Sequence, residues 1–398
     1  MLSVEDSAPV FGHKDQVSMN HKNTVSTGAY ALFGLHRPTI LQPMKQTKTL
    51  KVRVKDKHAA QLNRMARSVN FVWNYLNELS ARAIRERGLF LSAYDMDRYT
   101  KGAGKDLRLH SQTLQEVARE YAMRRKQFKK SRLAWRKSGG VRRSLGWVPF
   151  KSGATKWKSG QVFHNGCYFK VWDSYGLSQY TFRSGSFNED ARGRWYFNVV
   201  VEVDIQPNQA QGEVGIDLGL KDTATCSDGQ KLEARRFYRD MQDKLATAQR
   251  AGNKKRVKAI HAKIKNRRQD ANHKFSRQLV NQYGTIVVGN VSASKLAKTK
   301  MAKSVLDAGW HQLKTMLEYK CEHAGTVFKE VNEAYTTQTC SNCGAQPKER
   351  PKGIADLGVR AWACGECGVL HDRDVNAARN ILALGAGHGP QVVGMPHL

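Results

Sequence analysis

The chain has 398 residues, with 66 Lys and Arg against 34 Asp and Glu, a formal excess of +32. Small soluble domains carry net charges of about 2–8, so an excess of this size predicts a polyanionic partner, nucleic acid first, rather than a merely soluble charged surface. No apolar run approaches the ~20 residues of a spanning helix and no secretory signal opens the chain, which argues against a membrane partner. Forty per cent hydrophobic residues suffice for real cores, and the length suggests two or three domains.

Residues 1–43 are polar, mixed and aperiodic, and are expected to form a flexible extension; Met44 is a natural start for the folded part. From there Leu50, Val52 and Val54 alternate as in a strand. Leu62, Met65, Val69, Val72, Leu76 and Leu79 then recur every three or four residues, one apolar stripe of a helix. Phe71, Trp73 and Tyr75 add aromatic bulk to it, at least one of them as core. A second helix is predicted over about 111–137, ending in a basic run from Arg124 to Lys137 that suits either solvent or phosphate. Gly and Pro break the pattern over 139–150, and strands follow: Gln161 to Trp172 and Arg194 to Ile205 are rich in aromatic and β-branched residues. Residues 44–205 therefore read as a β-barrel-like element with a helical insertion over about 58–138.

A boundary rich in Gln, Asn and Pro falls near 206–212. Beyond it a short buried strand, Val214-Gly215-Ile216, ends on Asp217. Two strongly basic helices are expected at roughly 233–250 and 254–283, then a second buried strand at 285–288, a helix at 305–324 and a third strand at 326–331. Strands alternating with helices predict an α/β sheet. The Gly-rich tail over 385–398 reads as loose.

Three motifs carry chemistry. Cys340-x2-Cys343 and Cys364-x2-Cys367 form two knuckles, whose four thiolates suit a closed, structural zinc site. The remaining Cys167, Cys226 and Cys321 stand alone and read as core or bystander residues, and nothing in the set suggests a secreted disulfide framework; a reducing compartment fits better. Asp217 at the carboxyl end of a buried strand cannot be core packing, and ligands gather at such strand ends in α/β sheets. His371-Asp372-Arg373-Asp374-Val375-Asn376 opens a helix just after the second knuckle, where acids also serve as ordinary caps.

Together these motifs resemble the split RuvC nuclease of TnpB transposon proteins and compact type V CRISPR effectors. Asp217, the basic helices, the knuckle pair and Asp372-Arg373-Asp374-Val375-Asn376-Ala377-Ala378-Arg379-Asn380-Ile381 carry the resemblance, supported by Gly146 to Lys151, His273 to Ser276 and Tyr335 to Cys340. The resemblance implies a wedge-type β-barrel with a recognition insertion over 44–205, an RNase H-like RuvC nuclease domain over 206–339 and 368–384, and a zinc ribbon inserted at 340–367. It implies a prokaryotic, cytoplasmic, nucleoid-associated endonuclease that binds a guide RNA and cuts double-stranded DNA next to a short flanking motif. Three carboxylates would hold two catalytic magnesium ions; by position the first is Asp217 and the last Asp374, with Asp372 a cap or supporting group. Lys254, Lys255, Arg256, Arg267 and Arg268 are expected among the RNA-facing residues.

One family position is empty. A glutamate normally ends the second buried strand, but here the chain reads Val287-Val288-Gly289-Asn290, with no acid from Ala271 to Leu306. In an RNase H-like sheet the strand over 326–331 lies beside it, so Glu333, at that neighbouring end, is expected to have taken over the role. Glu330 is the second choice, and Asn290 offers a neutral oxygen. Two alternatives stay open at this level: a nuclease-inactive, RNA-guided DNA binder that acts by occupancy, and a guide-free transposase or junction resolvase.

Overall fold

The computed structural model describes residues 44–205, 207–352, 356 and 358–387. The extension expected over 1–43 and residues 388–398 of the tail lie outside them.

The first half is built on β1 (Met44–Val54), whose alternating residues Leu50, Val52 and Val54 are all buried. The helices α1 (Ala59–Arg87), α2 (Ala93–Thr100), α3 (Gly104–Leu107) and α4 (Ser111–Phe128) follow. Then come β2 (Trp147–Phe150), β3 (Thr155–Lys158), β4 (Gln161–His164), β5 (Cys167–Phe169), β6 (Val171–Trp172), β7 (Phe182–Glu189) and β8 (Trp195–Ile205). The strands make an antiparallel five-stranded sheet in the order β2-β7-β8-β1-β6 and a separate three-stranded sheet, β3-β4-β5. Phe150, Phe169, Phe187 and Phe197, all fully buried, meet with ring centroids 5.1–5.9 Å apart and join both sheets in one core. The stripe predicted on α1 faces that core; of its aromatics Trp73 is buried, whereas Phe71 and Tyr75 face solvent.

The second helix is shorter than predicted. It stops at Phe128, where Lys129 turns left-handed at φ 50°. The basic run after it is drawn instead along α1 by three asparagines one helical turn apart. Asn77 pairs with both backbone groups of Leu133 at 2.8 and 2.9 Å, Asn74 does the same for Arg136, and Asn70 takes Ser138 Oγ at 3.1 Å. Side-chain amides thus replace the helical hydrogen bonds these residues would otherwise make.

The second half comprises β9 (Gly212–Asp217), β10 (Asp222–Cys226), β11 (Lys231–Glu233), α5 (Gln242–Arg250), α6 (Lys254–Gln282) and β12 (Tyr283–Gly289). It continues with α7 (Ala293–Leu296), α8 (Ala302–Ala308), α9 (Trp310–Ala324), β13 (Val327–Val331), β14 (Ala361–Ala363), β15 (Leu370–Asp372) and α10 (Arg373–Ala386). The large sheet runs β11-β10-β9-β12-β13, antiparallel across β9-β10-β11 and parallel across β9-β12-β13. The expected neighbourhood of the second and third buried strands is therefore present. The strands β10 and β11 went unread because they are short and follow β9 directly.

The stripe on α6 serves two cores: Ile260 and Ile264 pack with Met241 and Leu245, whereas Phe275 and Leu279 cover the sheet. The single helix expected over 305–324 is broken at Gly309, whose φ of 68° suits glycine. The break lets Trp310 turn inward and donate to the Gly219 and Thr223 carbonyls at 3.2 Å each. On the sheet, α10 approaches β9 and β12 closely: a Cβ on Gly215 would collide with the Ala378 carbonyl, and one on Gly385 with Val287. The terminal helix thus runs two residues into the stretch read as loose tail.

Candidate active site

Each cysteine knuckle has the same hydrogen bonds. Gly344 N–H donates to the Cys340 carbonyl at 2.9 Å, and Gly368 N–H to that of Cys364 at 2.8 Å. The β14–β15 hairpin, which pairs Trp362 with His371, carries the second knuckle between its strands. Cys340 and Cys367 Sγ lie 3.7 Å apart, as do those of Cys343 and Cys364, and all four ligand atoms fall within 4.8 Å of one another. A tetrahedron with Zn–S bonds of ~2.3 Å has edges of about 3.8 Å, so the donor set fits zinc. Buried His371 places Nε2 3.0 Å from Cys340 Sγ and supports that thiolate from outside the set.

The same hairpin leads into the acids. Asp372 ends β15 and caps α10, accepting from the Asp374 and Val375 amides at 3.0 Å each, so it is the cap the sequence suggested. Asp374, 8% exposed, stands in the first turn between two guanidiniums: Arg360 at 3.3 Å and Arg373 at 3.1 Å. Asp217 ends β9. Burial, reinforced by the charges of Asp374 and Glu333, pushes its carboxyl up to about 7.

Glu333 follows the end of β13, where Gly289 pairs with Val331. A Cβ built on Gly289 would collide with Glu333 Oε2 and stand 3.2 Å from Glu333 Cβ. The Glu333 carboxylate thus fills the space that a side chain at position 289 would enter. Burial raises its pKa, opposed by Lys314. Its Oε2 is buried without a hydrogen-bond partner among the described residues, an acceptor lacking the donor or cation that burial requires. Glu330, the second choice, is spent on Lys314 at 2.7 Å. Asn290 is likewise occupied, its Oδ1 accepting from the Glu333 amide at 3.3 Å.

The charges of Asp374 and Glu333 both act on the Asp217 carboxyl and raise it. The three carboxylates do not reach the mutual 4.8 Å spacing of the cysteine ligands. A network links Glu333 to the helix that carries Asp374. Thr336 donates Oγ1 to the Glu333 carbonyl at 2.8 Å; the Thr336 and Thr339 carbonyls accept from Asn380 at 2.8 and 2.7 Å; Asn376 donates to Thr339 at 2.8 Å. Both asparagines are buried. Their i, i+4 spacing on one helix face was visible in the sequence. Nothing in the spacing pointed to Arg360, which reaches Asp374 only through the fold of the ribbon. Among the basic residues expected to face RNA, Lys254, Lys255, Arg256 and Arg267 are exposed. Arg268 is turned inward onto the Leu306 carbonyl and Asp307.

Two family models match parts of the chain. Residues 196–300 match the family described as "Probable transposase", and residues 310–381 match "Cas12f1-like, TNB domain". The chain is 37% identical over 213 residues to a putative RNA-guided DNA endonuclease of Streptomyces pristinaespiralis, covering 50% of this chain and 52% of that protein. It is 30% identical over 223 residues to the putative RNA-guided DNA endonuclease InsQ of Escherichia coli K12, covering 48% and 54%. With the CRISPR-associated endodeoxyribonuclease Cas12f1 of Sulfoacidibacillus thermotolerans it shares 27% over 220 residues, covering 49% and 51%. The matches thus span about half the length of these curated relatives. A solved Cas12f1–sgRNA–target DNA complex superposes with a TM-score of 0.56 at 12% identity, covering 85% of this chain and 98% of that one, a likeness of fold. The resemblance to TnpB proteins and compact type V effectors is borne out. Among the described residues no helix is long and apolar enough to cross a membrane.

Proposed function

We propose that this chain is an RNA-guided DNA endonuclease of the TnpB type, with Asp217, Glu333 and Asp374 as its catalytic acids. The placement of the Glu333 carboxylate over Gly289 carries the reading: the position emptied of its glutamate is refilled from the neighbouring strand. In this reading the wedge and recognition regions span 44–205, the nuclease spans 206–339 and 368–384, and the ribbon spans 340–367. Guide RNA and double-stranded target DNA with a short flanking motif are its partners, base pairing reading most of the target.

The three acids would hold two magnesium ions, which would activate a water and stabilise the leaving oxygen of an in-line displacement. The chain's own contribution is legible in the charges. Arg360 and Arg373 hold Asp374 in place. Burial and the neighbouring acids raise the Asp217 carboxyl to about 7, a penalty on its charge that a bound cation would offset. Glu333 brings an oxygen already stripped of partners.

The test is a swap. Protein co-purified with RNA from its own locus is assayed for magnesium-dependent plasmid cleavage against a library with randomised flanks. Glu333→Gly should abolish cutting, and Gly289→Glu alone should too, since two side chains would contend for one space. The double variant Gly289→Glu/Glu333→Gly should recover cutting. Undiminished cutting by Glu333→Gly would overturn the assignment, and target binding without cutting by the wild type would make the chain a guided binder.

A further inference from the structure

The strand β12 ends on Gly289, and Asn290 after it makes a bond that regular strand pairing would not. β12 and β13 pair in parallel as far as Gly289 beside Val331. One further backbone bond follows, Asn290 N–H donating to the Val331 carbonyl at 2.9 Å. In a regular parallel ladder the next bond would run from the Glu333 amide to the Asn290 backbone carbonyl. Here it runs to the Asn290 side chain, whose Oδ1 accepts from the Glu333 amide at 3.3 Å. The side-chain oxygen stands in for the backbone carbonyl of its own residue. The chain after β12 is therefore free to leave the sheet towards α7, while Glu333 is still held as if it belonged to a strand. The next amide but one is served locally: Asn332 Oδ1 accepts from Ala334 N–H at 3.1 Å. Asn290 is exposed, so the hydrogen bond, and not close packing, sets where its oxygen lies.

We propose that Asn290 is a positioning residue for Glu333: its side-chain oxygen fixes the backbone from which the carboxylate reaches the space over Gly289. The inference rests on the assignment of Glu333 as a catalytic acid. A glutamate side chain is long and rich in rotamers, and Glu333 lies beyond the end of β13 between two exposed residues, Asn332 and Ala334. Ladder bonds hold a strand residue in one orientation; a loop residue needs another tether. Asn290 supplies it at the amide of the residue that carries the acid. Gly289 and Asn290 thus act as a pair. The first lacks the side chain that would fill the space, since a Cβ there would collide with Glu333 Oε2. The second orients the side chain that fills it instead. With its Oδ1 on the Glu333 amide, Asn290 serves a cation through Glu333 and not as a ligand.

The experiment reads cation binding directly and needs no cleavage. Full-length protein, with zinc in place and no nucleic acid, is titrated with manganese(II), whose free concentration is followed by electron paramagnetic resonance. Asn290→Ala should weaken manganese binding by about tenfold, and Asn290→Asp, which keeps the accepting oxygen, should recover most of the affinity. The thermal unfolding midpoint of Asn290→Ala without manganese should match that of the wild type, which a general loosening of the sheet would lower. The effect should also depend on where the acid comes from. In the Gly289→Glu/Glu333→Gly chain, adding Asn290→Ala should change manganese affinity by less than about twofold. An equal loss in both backgrounds would refute the proposal, since Asn290 would then support the strand end and not Glu333. So would manganese binding by Asn290→Ala within about twofold of wild type, or Asn290→Asp binding no better than Asn290→Ala. Glu333→Ala, run in parallel, separates the two assignments. If it binds manganese as the wild type does, the role of Glu333 fails and that of Asn290 with it; if it alone weakens binding, Glu333 stands and Asn290 is refuted.

Discussion

Cys364 and Cys367 lie just before β15 and Asp374 just after it, so the cysteine site and the acid site meet at one hairpin. Their construction differs. The cysteine ligands come from two tight knuckles, each specified within a few residues, and they converge to ligand spacing. The acids come from the ends of two strands and the start of a helix, and burial plus mutual repulsion hold Asp217 near a pKa of about 7. The first site is local and closed, the second is assembled at a distance and held in tension by like charges. A closed site resists perturbation until a ligand is lost; an assembled one responds to pH, to cations and to distant hydrogen bonds.

The sharpest break of this contrast is Cys364→Ser. Structural zinc contributes about 10–16 kcal/mol in isolated zinc-finger peptides, so the variant should lose its single zinc by elemental analysis and expose the ribbon to protease. Zinc retained at one per chain would refute the four-cysteine site. Next are the acids: Asp217→Ala and Glu333→Ala should each lower magnesium-dependent cleavage by about a thousandfold, or about 4 kcal/mol of transition-state stabilisation, while zinc content holds. Loss of zinc in either variant would show that the two sites are one folding unit.

A smaller effect concerns pH. The folded Asp217 carboxyl titrates at about 7 and a free one at about 3.9. Between those values the native state holds a proton that the unfolded state has released. Without magnesium, stability should therefore fall as pH rises from about 4 to about 7, and stay low above it. Asp217→Asn should remove that slope and be more stable than wild type at pH 8, read by denaturant unfolding with zinc kept in place. A parallel pH profile in both proteins would place the titration elsewhere. The smallest expected effect is that of Thr336→Val, which removes the hydroxyl on the Glu333 carbonyl. It should raise the magnesium needed for half-maximal cutting by about tenfold and leave the rate at saturating magnesium near wild type. A lowered saturating rate with unchanged magnesium dependence would mean that Thr336 does not act through Glu333.

Much of this was readable in the chain. The knuckle spacing carries its own geometry, and the stripes on α1 and α6 announce which faces are covered, because helical period and metal spacing are local properties. The helix predicted to Lys137 failed because Asn70, Asn74 and Asn77 offer its backbone another set of partners, an arrangement invisible until α1 and that segment lie side by side. The helix expected over 305–324 failed because the tertiary pull on Trp310 outweighs continuity at Gly309.

By itself, then, the sequence determined the charge that calls for nucleic acid, the cysteine ligand set, and the identity of Asp217 and Asp374 as strand-end and helix-start acids. Only the tertiary structure decided that Glu333 comes to rest over Gly289 and that Arg360 reaches Asp374. Each of these depends on the register between strands or on a hairpin's fold, and register is set by which faces are buried together, a property of the packed molecule rather than of any one segment.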